Sequence, residues 1–319
     1  MGLHRTRRGR HLSHRRWSGN ARLRRYNERY TVQIFLNGLI SGLAIALLAV
    51  AFQVVYLPTR IFFVGLGGLY ALVPYVYLTA QGNFGLWPLS VVVSVIAMVG
   101  LAISIEWANH APLTRKRASE GAHLISSLGI YIVVIQIVAM IWGNDTQTLR
   151  AGLDTTFSVG DSILTQSQSI QFIVACFLLA GFLIMLRVTD MGLRLRAMAD
   201  NPIQFALYGY NVDRHRLLAF ALAGVFVTSA SLLTAYDIGF DPHTGLHAVL
   251  LAVVAVIIGG RTSFVGPIVG GLLLGIIRAQ VVWHLSARWQ EAVTFVILAL
   301  FLLLWPQGLF GRKTRIDAN

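Results

Sequence analysis

Long apolar stretches that are almost free of charge alternate with short polar links along this chain. The segment from Trp87 to Ile105 has no ionisable side chain, and it is about as long as the ~20 residues that a helix needs to cross a membrane. The pattern predicts an all-α polytopic membrane protein with about eight membrane segments. These segments are predicted at residues 33–57, 61–80, 87–107, 123–142, 172–187, 217–236, 264–285 and 292–305.

Two apolar elements are interrupted by helix-weakening residues. Segment 61–80 contains three glycines and Pro74, which favours a broken or re-entrant element. The run 248–258 is too short to cross alone and ends at a glycine pair. Each interrupted element follows a complete helix and a polar break with proline, so the chain has a weak internal repeat, a pattern that indicates a transporter's substrate path. The path residues predicted from it are Phe62, Phe63, Gly65, Gly67, Gly68, Gly259 and Gly260.

Close helix packing is the alternative explanation for glycine in membrane segments. Small residues allow two helix backbones to approach each other, with no ligand involved. In segment 264–285, Gly270, Gly271 and Gly275 are assigned to packing. Packing and a substrate path are equally good explanations for residues 63–68.

The formal net charge is +13, and most of the basic residues lie outside the apolar segments. Ten arginines precede the first segment, and others cluster in the links 110–117 and 187–216. This distribution follows the positive-inside rule and indicates lipid contact, not nucleic-acid binding. Residues 1–30 are interpreted as a disordered cytoplasmic arm or an over-extended start, 31–311 as the membrane domain with a cytoplasmic loop at 188–216, and 312–319 as a cytoplasmic tail.

Placing both termini inside makes a prediction about the crossings. Residues 33–107 must then cross an even number of times, so segment 61–80 is expected not to cross fully. The polar stretch 143–171 is expected outside. Near span ends, Glu106 and Arg278 are expected to extend to the membrane interface.

Candidate chemistry is sparse. The chain has no P-loop, nucleophile elbow or metalloprotease helix motif, so neither a catalytic site nor a metal site is predicted. Cys176 is the single cysteine and lies in an apolar segment, while Asp241 and His243 are interpreted as a solvated turn. No carboxylate is placed at the membrane midplane, where ion-driven pumps usually have one. Transport energy would then come from another subunit, or flow would be passive.

The link 188–216 contains the signature of a short helix outside the membrane. Asp200 and Asn201 are good caps, Pro202 suits the first helical position, and Gly209 suits the stop. A capped helix of about two turns between two spans is a site at which a partner protein can dock.

The same link carries a family resemblance. Gly192 to Leu218, with Ala199-Asp-Asn-Pro and Gly209-Tyr-Asn-Val-Asp-Arg, resembles the cytoplasmic loop of permeases of the branched-chain amino acid ABC importer family, LivH type. The resemblance covers about residues 33–313. Further motifs that match in order are Asn37-Gly-Leu-Ile-Ser-Gly42, Glu106 with Pro112-Leu113, Leu124–Gly129, Ile258–Gly271 and Pro306–Gly311.

The resemblance implies a non-catalytic permease subunit that forms the path for branched-chain or other hydrophobic amino acids across a bacterial inner membrane. It implies a related permease as partner, two cytoplasmic ATPases that use ATP and Mg²⁺, and a periplasmic binding protein. The ATPases would dock at a coupling helix shaped by Asp200, Asn201, Pro202, Phe205, Ala206 and Gly209. Urea or short amides are an alternative cargo, and an ATP-independent channel or carrier is an alternative class.

One segment departs from the family pattern. Members usually have an Asn-Phe-Ala-His-Gly-like segment after the first helix, and this chain has Phe62-Phe-Val-Gly-Leu-Gly-Gly68 there. The polar Asn and His are absent. If the segment lines the path, the path is expected to be more apolar and to form fewer hydrogen bonds with cargo.

Overall fold

The computed structural model describes residues 12–150, 155–159 and 162–311. The helices and strands follow one another with short connections. They are α1 (Leu12–Thr59), α2 (Leu66–Phe84), α3 (Trp87–Ile105), a π-helical turn (Glu106–His110), α4 (Ala111–Arg115), α5 (Glu120–Trp142), β1 (Thr156–Val159), β2 (Ser162–Thr165), α6 (Gln166–Val188), α7 (Asp190–Asp200), α8 (Pro202–Leu207), α9 (Val212–Asp237), α10 (Thr244–Gly259), α11 (Gly266–His284), a 3₁₀ turn (Ala287–Trp289) and α12 (Gln290–Leu304).

The helical membrane architecture predicted from the sequence is confirmed. Within the described residues, seven helices are long and apolar enough to cross a membrane: Val32–Thr59, Trp87–Arg115, Glu120–Trp142, Gln166–Val188, Val212–Asp237, Gly266–His284 and Ala287–Leu304. The shorter apolar helix α10 joins them, and α2 begins only after a non-helical stretch at residues 60–65. The antiparallel β1–β2 hairpin was not predicted.

The contacts at the two ends of α1 show in which direction this helix runs through the bundle. We call the end that carries β1 and β2 the hairpin end, and the end that carries residues 188–216 the loop end. The Gln33 side chain exchanges two hydrogen bonds with the backbone of Ile163 in β2, so α1 enters at the hairpin end. Leu57 shares a small cavity with Arg187 and Phe310, so α1 leaves at the loop end, where the last described residues also lie.

This direction corrects the expectation that both flanks of the membrane domain lie on one side. Helices α1, α2 and α3 alternate in direction, so this part of the chain makes an odd number of passes and not the even number expected. The start of the first span and Gly311 therefore lie at opposite ends. Helix α2 continues to the hairpin end, where Tyr75 contacts Trp142 and Phe240, with ring centroids 5.5 and 4.9 Å apart. Gly65 lies in the non-helical stretch before α2, whereas Gly67 and Gly68 lie within α2 and do not end it.

The terminal segments are only partly described. Helix α1 extends back to Leu12, so residues 12–30 are helical within the segment interpreted as a disordered arm. Residues 1–11 of that arm and the tail 312–319 lie outside the described residues. Because the first span starts at the hairpin end and Gly311 lies at the loop end, the cytoplasmic placements predicted for the arm and for the tail cannot both hold, and the side that each faces stays a prediction.

The centre of the bundle is the packing of α1 against α11. A Cβ added at Gly38 would lie 2.8 Å from Ile276 Cα, and one at Gly271 would lie 2.7 Å from Ala46 Cα. Such close backbone approach requires small residues at both helices. The packing role assigned to the glycines of segment 264–285 therefore agrees with the geometry at Gly271.

The two halves of the weak repeat are inverted relative to each other. Helix α1 runs toward the loop end and α2 returns, whereas α9 runs toward the hairpin end and α10 returns. The first turns of α2 and α10 meet inside the bundle, where a Cβ at Gly67 would lie 2.9 Å from the Gly245 carbonyl oxygen. Inverted repeats with interrupted helices are typical of transporters.

The last described residues form hydrogen bonds with the end of α10. Leu309 N–H donates to the Ile258 carbonyl and Phe310 N–H donates to the Gly259 carbonyl, both at 2.9 Å. These contacts satisfy carbonyls that the end of α10 leaves without a helical partner. Gly260 has a positive φ of 112° at this junction, a backbone conformation that favours glycine.

Candidate functional site

A cavity of about 710 Å³ lies among α1, α2, α6, α9, α10 and α11, toward the hairpin end. Most of its wall is apolar or small. These residues are Ile34, Ala44, Ile45, Leu48, Tyr70, Pro74, Ala235, Ile238, Gly239, Phe240, Ala248, Leu251, Ala279, Val282 and Trp283. The polar wall residues are Asn37, Ser41, Gln168, Gln171, Ser231, Thr234, Asp237, Thr244, His247, Arg278 and Gln290.

Arg278 provides a cation in the α11 wall of this cavity. Its Nη1 donates to Thr294 Oγ1 at 3.1 Å, and its Nη2 lies 3.6 Å from Glu291 Oε1. The same Glu291 oxygen is 3.2 Å from His247 Nε2. The expectation that Arg278 extends to the membrane interface is therefore wrong, because partners on α12 hold the mostly buried side chain inside the bundle.

The opposite wall carries hydrogen-bond acceptors. Gln171 is 3% exposed, and its Nε2 donates to the Ile40 carbonyl at 3.2 Å. Its Oε1 is buried and has no hydrogen-bond partner within the part of the chain that the structure describes. One turn earlier, Ser167 Oγ donates to Asp237 Oδ1 at 3.3 Å, which places the Asp237 carboxylate near the same wall.

The predicted path residues lie elsewhere. Phe62 contacts Phe52, with ring centroids 4.9 Å apart, and the buried Phe63 packs between His110 and Phe220. The remaining glycines of this set pack against backbone or side chains: Gly65, Gly67, Gly68, Gly259 and Gly260. None of the seven residues is among the residues of the 710 Å³ cavity. Their role in a path stays a prediction.

A buried polar cluster lies at the loop end. Arg216 Nε donates to Glu106 Oε1 at 2.6 Å, and the two side chains are 7% and 2% exposed. The π-helical turn that starts at Glu106 also brings His110 Nδ1 to 3.2 Å from His123 Nδ1. Glu106 was expected to extend to the interface, and that expectation is wrong because α9 supplies a buried cation beside it.

The short helix of the 188–216 link is present as α8. Asn201 Oδ1 accepts hydrogen bonds from the backbone N–H groups of Ile203 and Gln204 at 3.0 Å each, and Pro202 opens the helix. Gly209 has a positive φ of 85°, as its predicted role at the stop requires. Asp200 does not cap α8, because it is the last residue of α7.

The surface of α8 is divided between the bundle and solvent. Phe205 is buried, stacks on Tyr210 and contacts His215 edge to face, with ring centroids 4.9 Å away in both cases. It therefore anchors α8 to the rest of the protein. Ile203 and Leu207 are 73% and 81% exposed and present an apolar face outward, beside the exposed Ala206.

A polytopic helical bundle with inverted interrupted halves, a cavity at one end and a capped helix at the other defines a membrane transport subunit. Comparison with known proteins agrees. The family model described as "Branched-chain amino acid transport system / permease component" matches residues 34–304. The chain belongs to this family.

Curated relatives match over most of their length. The chain is 28% identical over 297 residues to LivH, the high-affinity branched-chain amino acid transport system permease protein, of Salmonella typhimurium and of Escherichia coli K12. Each alignment covers 89% of this chain and 96% of the relative. BraD of Pseudomonas aeruginosa, another such permease, is 26% identical over 296 residues, covering 88% of this chain and 96% of BraD.

Proposed function

We propose that this chain forms the translocation path of an ABC importer for branched-chain or other hydrophobic amino acids. The names of the relatives support this cargo. The structural observation that supports it most directly is the largely apolar cavity of about 710 Å³ with Arg278 in its wall. An apolar wall suits an aliphatic side chain, and a guanidinium suits a carboxylate.

Uptake in a bacterial host that lacks its own branched-chain importer tests the proposed cargo. The chain would be co-expressed with the ATPases, partner permease and binding protein of a branched-chain amino acid importer. We expect saturable uptake of leucine that depends on ATPase activity. Uptake of urea or acetamide in place of leucine, or flux through proteoliposomes that contain this chain alone, would contradict the proposal.

We infer that the loop end faces the cytoplasm and the hairpin end faces the periplasm. The arginines of the loop end support this by the positive-inside rule, among them Arg187, Arg194 and Arg196, whereas the ten arginines before residue 30 precede the hairpin-end start of the first span and go against the rule. The partners would then be arranged with two ATPases at the loop end and a binding protein at the hairpin end. ATP and Mg²⁺ would be bound by the ATPases.

Cysteine labelling in whole cells tests this orientation. Cys176 is replaced by Ser, and single cysteines are introduced at Val32, Thr146 or Leu207. We expect a membrane-impermeant maleimide to label positions 32 and 146 in intact cells, because both lie at the hairpin end. Position 207 should react only after permeabilisation. If positions 32 and 207 reacted under the same condition, the direction of α1 described here would be wrong.

We propose that α8 is the coupling helix and that its outward face docks an ATPase. Ala206→Glu and Leu207→Glu place a charge on this exposed face without disturbing the buried Phe205. We expect each variant to insert normally and to lose most leucine uptake, with ATPase activity no longer stimulated by substrate. Leu207→Met keeps the face apolar and is the matched control. Normal uptake by the Glu variants at equal expression would exclude this docking role.

A further inference from the structure

We propose that the 710 Å³ cavity is a subsite for a zwitterionic amino acid, with Arg278 on the carboxylate and Gln171 and Asp237 on the ammonium group. The proposal rests on the proposed function and names the residues of this chain that contact the cargo. It requires three features: an acceptor without a partner, an available donor, and a separation of the two across an apolar floor.

The acceptor is Gln171 Oε1. A buried amide oxygen without a hydrogen bond costs free energy, and native proteins rarely leave one without a ligand or water to satisfy it. This oxygen belongs to a residue that lines the cavity, so a donor held in the cavity can satisfy it. An ammonium group has three donors, and the Asp237 carboxylate, whose own backbone carbonyl accepts from Arg150 Nη2 at 2.6 Å, lies in the same wall region as a second acceptor.

The donor is Arg278. Nη1 and Nη2 contact residues of α12, and within the described residues Nε has no hydrogen-bond partner. A guanidinium carries five N–H donors in a planar fork, so the described contacts leave donors for a carboxylate. The α12 contacts also hold the fork in one orientation, which lowers the entropy cost of binding.

The two walls face each other at the same depth. Gly38 of α1 packs beside Ala279, the neighbour of Arg278, and the carbonyl of Ile40 accepts from Gln171. Two residues of helix correspond to a rise of about 3 Å and a rotation of about 200°. Arg278 and Gln171 therefore lie at nearly one level on the two flanks of the α1 face that lines the cavity, where one ligand in the cavity can approach both.

The floor between them is a face of α1 on which the polar Asn37 and Ser41 lie among apolar residues. Ile34, Ile45 and Leu48 share one face of this helix, and Leu251 of α10 adds to the wall. A branched aliphatic side chain buries apolar area there. Urea and short amides have neither a carboxylate nor an ammonium group, so they can form neutral hydrogen bonds to these walls but not the stronger bonds between two charged groups.

Equilibrium binding to the full chain in lipid nanodiscs tests the proposal. The probes are leucine, leucinamide, which lacks the carboxylate, and 4-methylpentanoate, which lacks the ammonium group. We expect leucine to bind about tenfold or more tightly than either analogue, the range for losing a hydrogen bond to a charged group. Equal affinity for the three probes, or no leucine binding, would overturn the proposal.

Substitutions in each wall test which group of the ligand that wall binds. Arg278→Gln should lower leucine affinity by about tenfold and remove the preference for leucine over leucinamide. Gln171→Leu should reduce the preference over 4-methylpentanoate and leave the preference over leucinamide. Arg288→Gln removes an exposed arginine outside the cavity and should bind as the wild type does. Arg278→Lys keeps the charge and should keep the preference for leucine over leucinamide. This variant tests the role of the charge if Arg278→Gln does not fold.

Uptake measurements separate this proposal from the proposed function. Equal leucine uptake by wild type and Arg278→Gln would leave the importer intact and reject the subsite. A preference for the zwitterion in nanodiscs without leucine uptake by the assembled system would support the subsite and reject leucine as the transported cargo.

Discussion

Glu106→Gln is expected to lower the free energy of unfolding by about 3–5 kcal/mol, which is the usual cost of breaking a buried ion pair from one side. The substitution leaves the Arg216 guanidinium 7% exposed and without a counter-charge. Arg216 Nη2 is already without a hydrogen-bond partner within the described residues, so no second acceptor is in place to replace the carboxylate. Titration with SDS in mixed micelles, followed by circular dichroism, measures the change.

The chain contains a matched exposed pair. Arg115 Nη2 lies 3.5 Å from Asp213 Oδ2, and these side chains are 72% and 63% exposed. Arg115→Gln should therefore cost no more than about 1 kcal/mol. The double substitution Glu106→Leu with Arg216→Met should recover most of the loss, because it removes both buried charges and keeps the volume. A Glu106→Gln protein as stable as Arg115→Gln would show that the pair is not buried as described.

Gly271→Ala is expected to destabilise the protein by about 1–3 kcal/mol, the range for overpacking a filled interior. The new methyl group would lie 2.7 Å from both the Cα and the backbone nitrogen of Ala46. Backbone atoms of α1 cannot rotate away as a flexible side chain can, so the two helices must separate. The unfolding titration used for Glu106→Gln measures the loss.

Gly129→Ala is the control for this change. Gly129 is exposed in the middle of α5, and nothing lies within 4 Å of its added Cβ. Alanine is the better helix former by about 1 kcal/mol, so this variant should be as stable as the wild type or slightly more stable. If both glycine variants shift stability in the same direction by the same amount, helix propensity and not α1–α11 contact explains the effect.

Local features of this chain could be predicted because their causes are local. Asn201, Pro202 and Gly209 form caps and turns within a few residues, and the structure places α8 between them. The lengths of the apolar runs likewise predicted the spans to within a few residues, as in α5 and α12. These signals depend on hydrophobicity and backbone preference, which a single segment contains in full.

The direction of α1 and the walls of the cavity could not be predicted from local sequence. The arginines before residue 30 indicated a cytoplasmic start, but direction depends on contacts such as Gln33 with Ile163, far apart in the chain. Arg216 is 110 residues from Glu106 in the chain, so its burial beside that carboxylate has no sequence signal. Gln171 and Arg278 face the same cavity only because both flank α1.

The hydrogen bonds of Leu309 and Phe310 to the end of α10 have a consequence for biogenesis. Leu309 is synthesised 50 residues after Gly259, the last residue of α10. During that interval, the Ile258 and Gly259 carbonyls await their final donors in a setting where water is scarce. Closure of this corner therefore waits for the C-terminal segment, and a chain that stops before Leu309 would leave these two carbonyls without their donors.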